Sequence, residues 1–437
     1  MYATLSDLLK DLFGFNLPLP IQTFGLMMGL AFAAAFMTSV NELKRREKLG
    51  FLKSTISKIW INKKSTMVET LTAIITWAFI GFKMLEAALD YDALVQNPQE
   101  FILSTKGSIL GLLAGAAYGY YTIFSSDKKL ADKTPKEIER IMFPHNHMWN
   151  ILFIAAITGI LGAKIFHNLE NIDELMADPI NSLVSFSGLT FYGGLIVAAA
   201  SVIFYSKKNH IDPIHLSDAL APGLMLAYGI GRIGCHLSGD GDWGVVNSAY
   251  MTNGAGEMMK AVPGFFEANV LPNFSDYYAN EFGGLANVRA IYFEGWSFLP
   301  DWFWGFNYHN NVIKAGVQMT NCTGSHCYML PNPVFPTALY EAIVCILLFV
   351  GLWVFRAKFI KPGTLISFYM IINGIERFTI EKIRVNTTYS IGGFHPTQAQ
   401  LISTSMIIIG ALMFYYFYTR KTAATALVSS NGASSDL

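Results

Sequence analysis

Runs of about 20 apolar residues recur along the chain, and polar connections rich in Lys and Arg separate them. A helix of that length crosses the hydrocarbon core of a bilayer. The pattern predicts spans at roughly 20–40, 68–88, 108–125, 148–167, 188–205, 216–236, 336–355, 362–381 and 399–418. The predicted fold class is therefore an all-α polytopic membrane protein with about nine transmembrane helices. The first run follows Pro20, and the residues before it carry neither a basic n-region nor a small-residue cleavage site. It reads as a retained helix rather than a signal peptide. Segment 237–335 has no such run but is rich in aromatic residues, Asn and Gly. That composition predicts a folded extracytoplasmic head domain, because disordered segments are poor in aromatics.

Charge distribution gives an orientation. Connection 41–64 carries eight Lys/Arg and connection 126–147 carries five; with 206–215, 356–361 and Arg420–Lys421 they hold 20 of the 31 basic residues. All five fall on one side of a nine-span chain, and the positive-inside rule makes that side cytoplasmic. The N-terminus is then outside and the C-terminus cytoplasmic, which places the N-terminus in the periplasm if the membrane is a bacterial inner membrane. The predicted organisation is a first helix and basic loop (1–67), a hairpin and cytoplasmic loop (68–147), core helices (148–236), the head (237–335), C-terminal helices (336–421) and a disordered tail (422–437). The chain is 52% hydrophobic and 14% charged, with 31 acidic residues balancing the 31 basic ones, so total charge points to no nucleic-acid partner. Of four cysteines, Cys235 and Cys345 lie in apolar helices and are expected to be reduced. Cys322 and Cys327 share a polar loop in which a disulfide is possible if the loop faces an oxidising compartment.

Residues 80–125 resemble residues 161–206 at a constant offset, with Gly81, Lys83, Asp92, Leu94, Pro98, Gly107 and Ser125 each recurring identically. This predicts a duplicated two-helix hairpin whose first copy is structural. A two-helix repeat is parallel in the membrane, unlike the inverted repeats of many transporters.

Charge also sits where the membrane makes it costly. Segment 228–244 (YGIGRIGCHLSGDGDWG) ends an apolar run on Arg232, then places Cys235, His236, Asp240, Asp242 and Gly244 within a few residues. Three further clusters fall at the same predicted depth: Thr190 to Gly194, with Tyr192 and Gly193; PTALYEA, with Tyr340 and Glu341; and NGIERFTIEKIR, with Arg377, Glu381 and Arg384. Arg377 and Glu381 are spaced i,i+4 on one helical face. Arginines flanked by glycines at a membrane–water interface suit a phospholipid phosphate. One histidine and two loop aspartates make weak ligand spacing, so no metal is expected.

These clusters, in this order, resemble the prolipoprotein diacylglyceryl transferase family over residues 20–40 and 148–418. LGAKIFHNLEN is similar to its G-[GA]-R-x-x-Y segment and FSGLTFYGGL to G-G-x-x-[FW]-H-G-G-L. The segment around YGIGRIGCHLSGDGDWG is similar to G-R-x-G-N-F-x-N-x-E-x-x-G, FPTALYEA to P-[ST]-Q-L-Y-E, and GIERFTIEKIR to R-F-x-x-E-x-x-R. The resemblance implies an inner-membrane enzyme that moves a diacylglyceryl group from phosphatidylglycerol to the lipobox cysteine of a preprolipoprotein, without metal or dissociable cofactor. It implies a seven-helix core, to which the repeated hairpin adds two helices, and a periplasmic head. Implied catalytic residues are Tyr192, Arg232, Arg377, Glu381 and His236. Implied substrate-binding residues are Gly193, Gly194, Asp240, Asp242, Gly244, Tyr340 and Arg384. Membrane lipids and the precursor's signal peptide are the implied partners.

The chain departs from the pattern at Tyr192 (usually His), Lys164 (Arg), Cys235 (Asn), His236 (aromatic), Ala338 (Gln) and Ala399 (Gly), and its acidic loop is one residue longer. The phosphate-binding half is kept and the proton-handling half is altered. Three sources of a thiolate stay open: Tyr192, His236 with Asp240 or Asp242, and the arginine field alone. A rival expectation is a catalytically altered homologue that binds lipid or lipoprotein precursor within a membrane complex.

Overall fold

The computed structural model describes residues 1–420 except 16, 18, 20, 92, 93, 95–100, 103, 131, 132, 185–189, 254, 255, 320, 321, 323–325, 387, 388 and 390–393. The expected tail 422–437, and Asp92 and Pro98 of the repeat, lie outside the described residues. Most of what is described is helical. The long helices are α1 (Thr23–Lys48), α2 (Met67–Leu89), α3 (Ile109–Lys129), α4 (Met148–Glu170), α5 (Phe191–Lys208), α6 (Pro213–Ser238), α7 (Thr337–Phe355), α8 (Thr364–Ile380) and α9 (Gln398–Thr419). Among the described residues, five stretches are long and apolar enough to cross a membrane: Thr23–Lys48, Met67–Leu89, Pro144–Glu170, Thr337–Lys358 and Gln398–Thr419.

The chain forms two compact units. One comprises Met1–Leu8, Gln22–Leu52 and Ile211–Leu437, and the other Leu9–Ile21 and Lys53–His210. The second unit contains the repeat. In it α2 packs on α3, and α4 on α5. Gly111, Gly115 and Gly119 line up one turn apart on α3, the small-residue spacing that lets helix backbones touch in a membrane. A Cβ on Gly115 would sit 2.0 Å from the Trp77 carbonyl oxygen. The two hairpins share their closing bonds: Ser108 N–H donates to Phe82 O at 3.0 Å, and Thr190 N–H donates to Ala163 O at 3.1 Å. Lys83, buried, donates from Nζ to the carbonyls of Phe101 (2.8 Å), Ser104 (2.6 Å) and Lys106 (2.7 Å), so its charge holds the loop between α2 and α3 closed.

The all-α expectation misses strands in this unit. β1 (Thr55–Ile61) pairs antiparallel with β2 (Lys136–Met142), with Thr55 opposite Met142 and Ile61 opposite Lys136. TISKIWI and KEIERIM alternate with period two and are short, so runs scored for helix pass over them. Their pairing joins the two most basic connections, and α2 and α3 therefore leave from and return to one end of the hairpin.

In the first unit α6 is central, packing against α1, α7 and α8, while α9 packs on α8. Asp212 caps α6 by accepting from Ile214 N–H (2.8 Å) and His215 N–H (3.1 Å), Pro213 fills its first turn, and Gly239 ends it in the left-handed conformation at φ 65°. The start of α6 lies in a buried ion network. Asp218 accepts from the Gly363 and Ile366 N–H groups, both at 2.8 Å, which caps α8. It also accepts from Arg46 at 3.2 Å. Arg46 and Arg356 reach Glu42 at 2.9 and 3.1 Å. Asp218, Glu42 and Arg46 are buried, so each requires its partners.

Residues between α6 and α7 fold around Trp243, Val246, Phe266, Tyr278, Tyr308 and Leu330. Short pairings frame this aromatic core: Val246–Asn247 runs parallel to Ala290–Ile291, and Tyr250–Thr252 antiparallel to Met258–Lys260. Cys322 and Cys327 form a disulfide, whereas Cys235 and Cys345 are free and buried.

Asp218→Ala strands a buried arginine and uncaps α8 at once. It should destabilise the protein by roughly 3–5 kcal/mol, read as a lowered midpoint of thermal unfolding in detergent, whereas an unchanged midpoint would mean that the network contributes nothing.

Candidate functional site

Three helices bring the site's charges together. Arg232 lies in the penultimate turn of α6, and Glu341 lies in the second turn of α7. Arg377 lies in the last turn of α8, with Glu381 one turn further on. Arg384 follows in extended conformation and forms a β-bridge with Gly244. That bridge requires glycine: a Cβ on Gly244 would lie 2.6 Å from Ile383 O and 2.9 Å from Phe335 O. Gly244 N–H donates to Phe335 O at 2.9 Å and Val245 N–H to Ile383 O at 2.8 Å. The loop after α6 is thereby stitched between the start of α7 and the end of α8.

Glu341 is the hub. It is fully buried and meets Arg232 Nε, Arg377 Nη1 at 3.0 Å and Arg384 Nη1 at 3.1 Å, and the Tyr228 hydroxyl donates to it at 3.1 Å. Asp242 bridges the Arg232 and Arg384 guanidinium groups, one oxygen to each. Glu381, also buried, pairs with Arg377 at 3.0 Å and accepts from the Asn386 amide at 2.6 Å. The Arg232 guanidinium lies over the Tyr228 ring, 5.3 Å from its centroid. Three arginines thus face three carboxylates. Their exposure differs: the Asp242 side chain is 33% exposed, Arg232 17% and Arg377 19%, against 0% for Glu341. The cluster is therefore most accessible to solvent at Asp242.

Burial pushes the Asp242 carboxyl up, but Arg232 and Arg384 overcome this and hold it at about 2. Asp240 goes the other way, raised by burial and by repulsion from Asp242. Its oxygen accepts from Asp242 N–H at 3.3 Å. Cys235 Sγ stands 3.9 Å from Arg232 Nη1. Ligand atoms of Cys235, Asp240 and Asp242 all lie within 4.8 Å of one another, but both Asp242 oxygens are already engaged by arginines, which fits an ion-pair network rather than a metal centre.

Of the residues singled out from sequence, Arg232, Asp242, Arg377, Glu381 and Arg384 converge, with Gly244 at their backbone hinge and Asp240 beside them. His236 turns to the aromatic core, its Nδ1 3.2 Å from the Tyr308 hydroxyl and its ring edge-on to Phe306. Tyr340 donates to the Phe303 carbonyl. Tyr192, Gly193 and Gly194 belong to the other unit. There Gly193 packs against Phe166 and Gly162, and Gly194 against Gly159, so both glycines serve the contact between α4 and α5. Glu341, which the sequence places in a charge cluster without a catalytic or binding role, is the hub, and Tyr228, one helical turn before Arg232, carries no sequence signal of its own.

A family model described as prolipoprotein diacylglyceryl transferase matches residues 128–416. The chain belongs to this family. The matched range includes the whole charge cluster and begins at the very end of the α2–α3 hairpin. Similar proteins include phosphatidylglycerol–prolipoprotein diacylglyceryl transferase 2 of Clostridium perfringens, 26% identical over 279 residues that cover 62% of this chain and 79% of that protein. The phosphatidylglycerol–prolipoprotein diacylglyceryl transferase of Clostridium tetani is 26% identical over 282 residues, 64% of this chain and 84% of its own. That of Leptospira interrogans is 24% identical over 327 residues, covering 63% and 81%.

A carboxyl whose pKa is depressed in the folded state stabilises it above the unfolded value, about 4. The Asp242 contribution should therefore be complete above that pH and vanish as pH falls towards about 2. Wild-type and Asp242→Asn unfolding midpoints, separated at neutral pH, should converge over that window; a pH-independent gap would contradict the pairing.

Proposed function

We propose that the chain transfers the diacylglyceryl group of phosphatidylglycerol to the thiol of a lipobox cysteine, the first step of bacterial lipoprotein maturation. The observation that carries this reading is the anion seat. Asp242 bridges two guanidinium groups from a partly exposed loop whose Gly239 and Gly241 take positive φ, so a lipid phosphate can replace it without breaking a helix. The thiol loses its proton, sulfur forms a bond to the glycerol carbon that bears the phosphate ester, and the carbon–oxygen bond breaks. The electron pair leaves on the phosphate oxygen, the thiol's proton is balanced there, and glycerol phosphate departs. Arg232 and Arg377 stabilise that charge, Glu381 and Glu341 hold Arg377 in place, and Arg384 positions the loop.

The finer architecture belongs to the same reading. Nine spans, a periplasmic N-terminus and a cytoplasmic C-terminus are supported by the basic connections that β1 and β2 join. The periplasmic head is supported by the aromatic core of 237–335 and by its disulfide, which suits an oxidising compartment. Tyr192 enters through its motif and is tested separately. His236 is the weaker base, because its ring is held by Tyr308.

The chain should restore lipoprotein modification to a bacterial strain that lacks its transferase. Arg232→Ala or Arg377→Ala should lower lipidation by on the order of 100-fold or more. Full activity of Arg232→Ala would remove the anion seat from the mechanism, and full activity of Tyr192→Phe would remove that base. Failure of the well-expressed wild-type chain to complement would favour the altered homologue that only binds lipid or precursor.

A further inference from the structure

Glu376 precedes Arg377 on α8 and borders the same charge cluster. It is only 7% exposed, and its Oε2 has no hydrogen-bond partner. Its charged and titratable neighbours come from each helix around it: Tyr228 and Arg232 from α6, Glu341 and Cys345 from α7, and Tyr369 and Arg377 from α8 itself. The site's charges balance without it, since Arg232, Arg377 and Arg384 already face Asp242, Glu341 and Glu381. An ionised Glu376 would add an uncompensated buried charge, so it enters the cycle as the neutral acid. The Tyr228 hydroxyl donates to Glu341 at 3.1 Å and also interacts with the Glu376 carboxyl, so it links that carboxyl to the hub. Tyr228 is half-buried and its ring carries the Arg232 guanidinium, so it forms a wall of the anion seat.

We propose that Glu376 is the proton reservoir of the transfer, acting through Tyr228 on the leaving phosphate. This rests on the function proposed above. As the carbon–oxygen bond breaks, Tyr228 gives its hydroxyl proton to the leaving oxygen and takes the Glu376 proton in exchange. The thiol proton then returns along the same path and restores Glu376. One proton thus passes, net, from the thiol to glycerol phosphate, with Tyr228 and Glu376 restored, and no oxidant or further reactant is needed. Tyr228 is the catalytic residue of the pair, and Glu376 is a positioning residue that keeps it charged with a proton.

The test is transfer from phosphatidylglycerol in vesicles to a lipobox peptide, followed against pH for wild type, Glu376→Gln and Tyr228→Phe. Both variants should lower kcat on the order of 100-fold with KM for phosphatidylglycerol little changed. Both should lose the alkaline fall that wild type shows as Glu376 ionises, and the double variant should be no worse than either single one. Glu376→Asp should recover part of kcat. Wild-type kcat and an intact alkaline limb in Glu376→Gln would overturn the proposal. Should Glu376→Gln fail to fold, Tyr228→Phe decides alone, because it keeps the ring under Arg232 and removes only the hydroxyl; a wild-type profile there overturns it equally. A wild type that transfers nothing would instead overturn the functional reading on which the proposal rests.

Discussion

One buried carboxylate, Glu341, organises the site. Three guanidinium groups from two different parts of the chain converge on it, and none of the three could be held at a membrane depth without a counter-charge. The helices around it are arranged to satisfy that requirement. α6 and α8 present Arg232 and Arg377 to the second turn of α7, and the Gly244–Arg384 bridge brings the third arginine in from the opposite side. Removing Glu341 would strand all three, so its role differs from that of Asp242, which shares two of them from an accessible loop. The difference in burial between these two carboxylates separates scaffold from replaceable ligand.

The remaining architecture keeps this cluster rigid. At the other end of α6, Asp218 caps α8 and holds Arg46. The helix that carries Arg232 is thus tied to α8 at both ends, once by an ion network around Asp218 and once by one around Glu341. The repeated hairpin solves a different problem: α2 and α3 meet through glycines rather than charges, and Lys83 is spent on loop carbonyls. That agrees with the family match beginning only at the very end of this hairpin.

Much of this was legible in the sequence, and what was not has physical reasons. Arg232, Arg377, Glu381 and Arg384 stood out because charge in an apolar run is costly, and cost marks them. Glu341 did not, because a single acid near a helix start also reads as a cap; only the fold shows three arginines reaching it. Glu376 was hidden by its neighbour Arg377, since adjacent residues on a helix face different partners. The strands β1 and β2 are not legible because two short alternating segments carry no signal until they pair, Thr55 with Met142 and Ile61 with Lys136. His236 and Tyr340, picked for their proximity in sequence to the charges, are claimed by the aromatic core instead. Sequence distance to Arg232 did not reveal which side of the helix end each residue would face.

The most direct test of the account is chemical. Purified chain, vesicles containing phosphatidylglycerol labelled in its acyl chains, and a lipobox peptide are combined, and the peptide is examined for a diacylglyceryl thioether. The account predicts labelled thioether and an equal amount of glycerol phosphate. Bound phosphatidylglycerol with an unmodified peptide, under conditions in which the chain is folded, would contradict it.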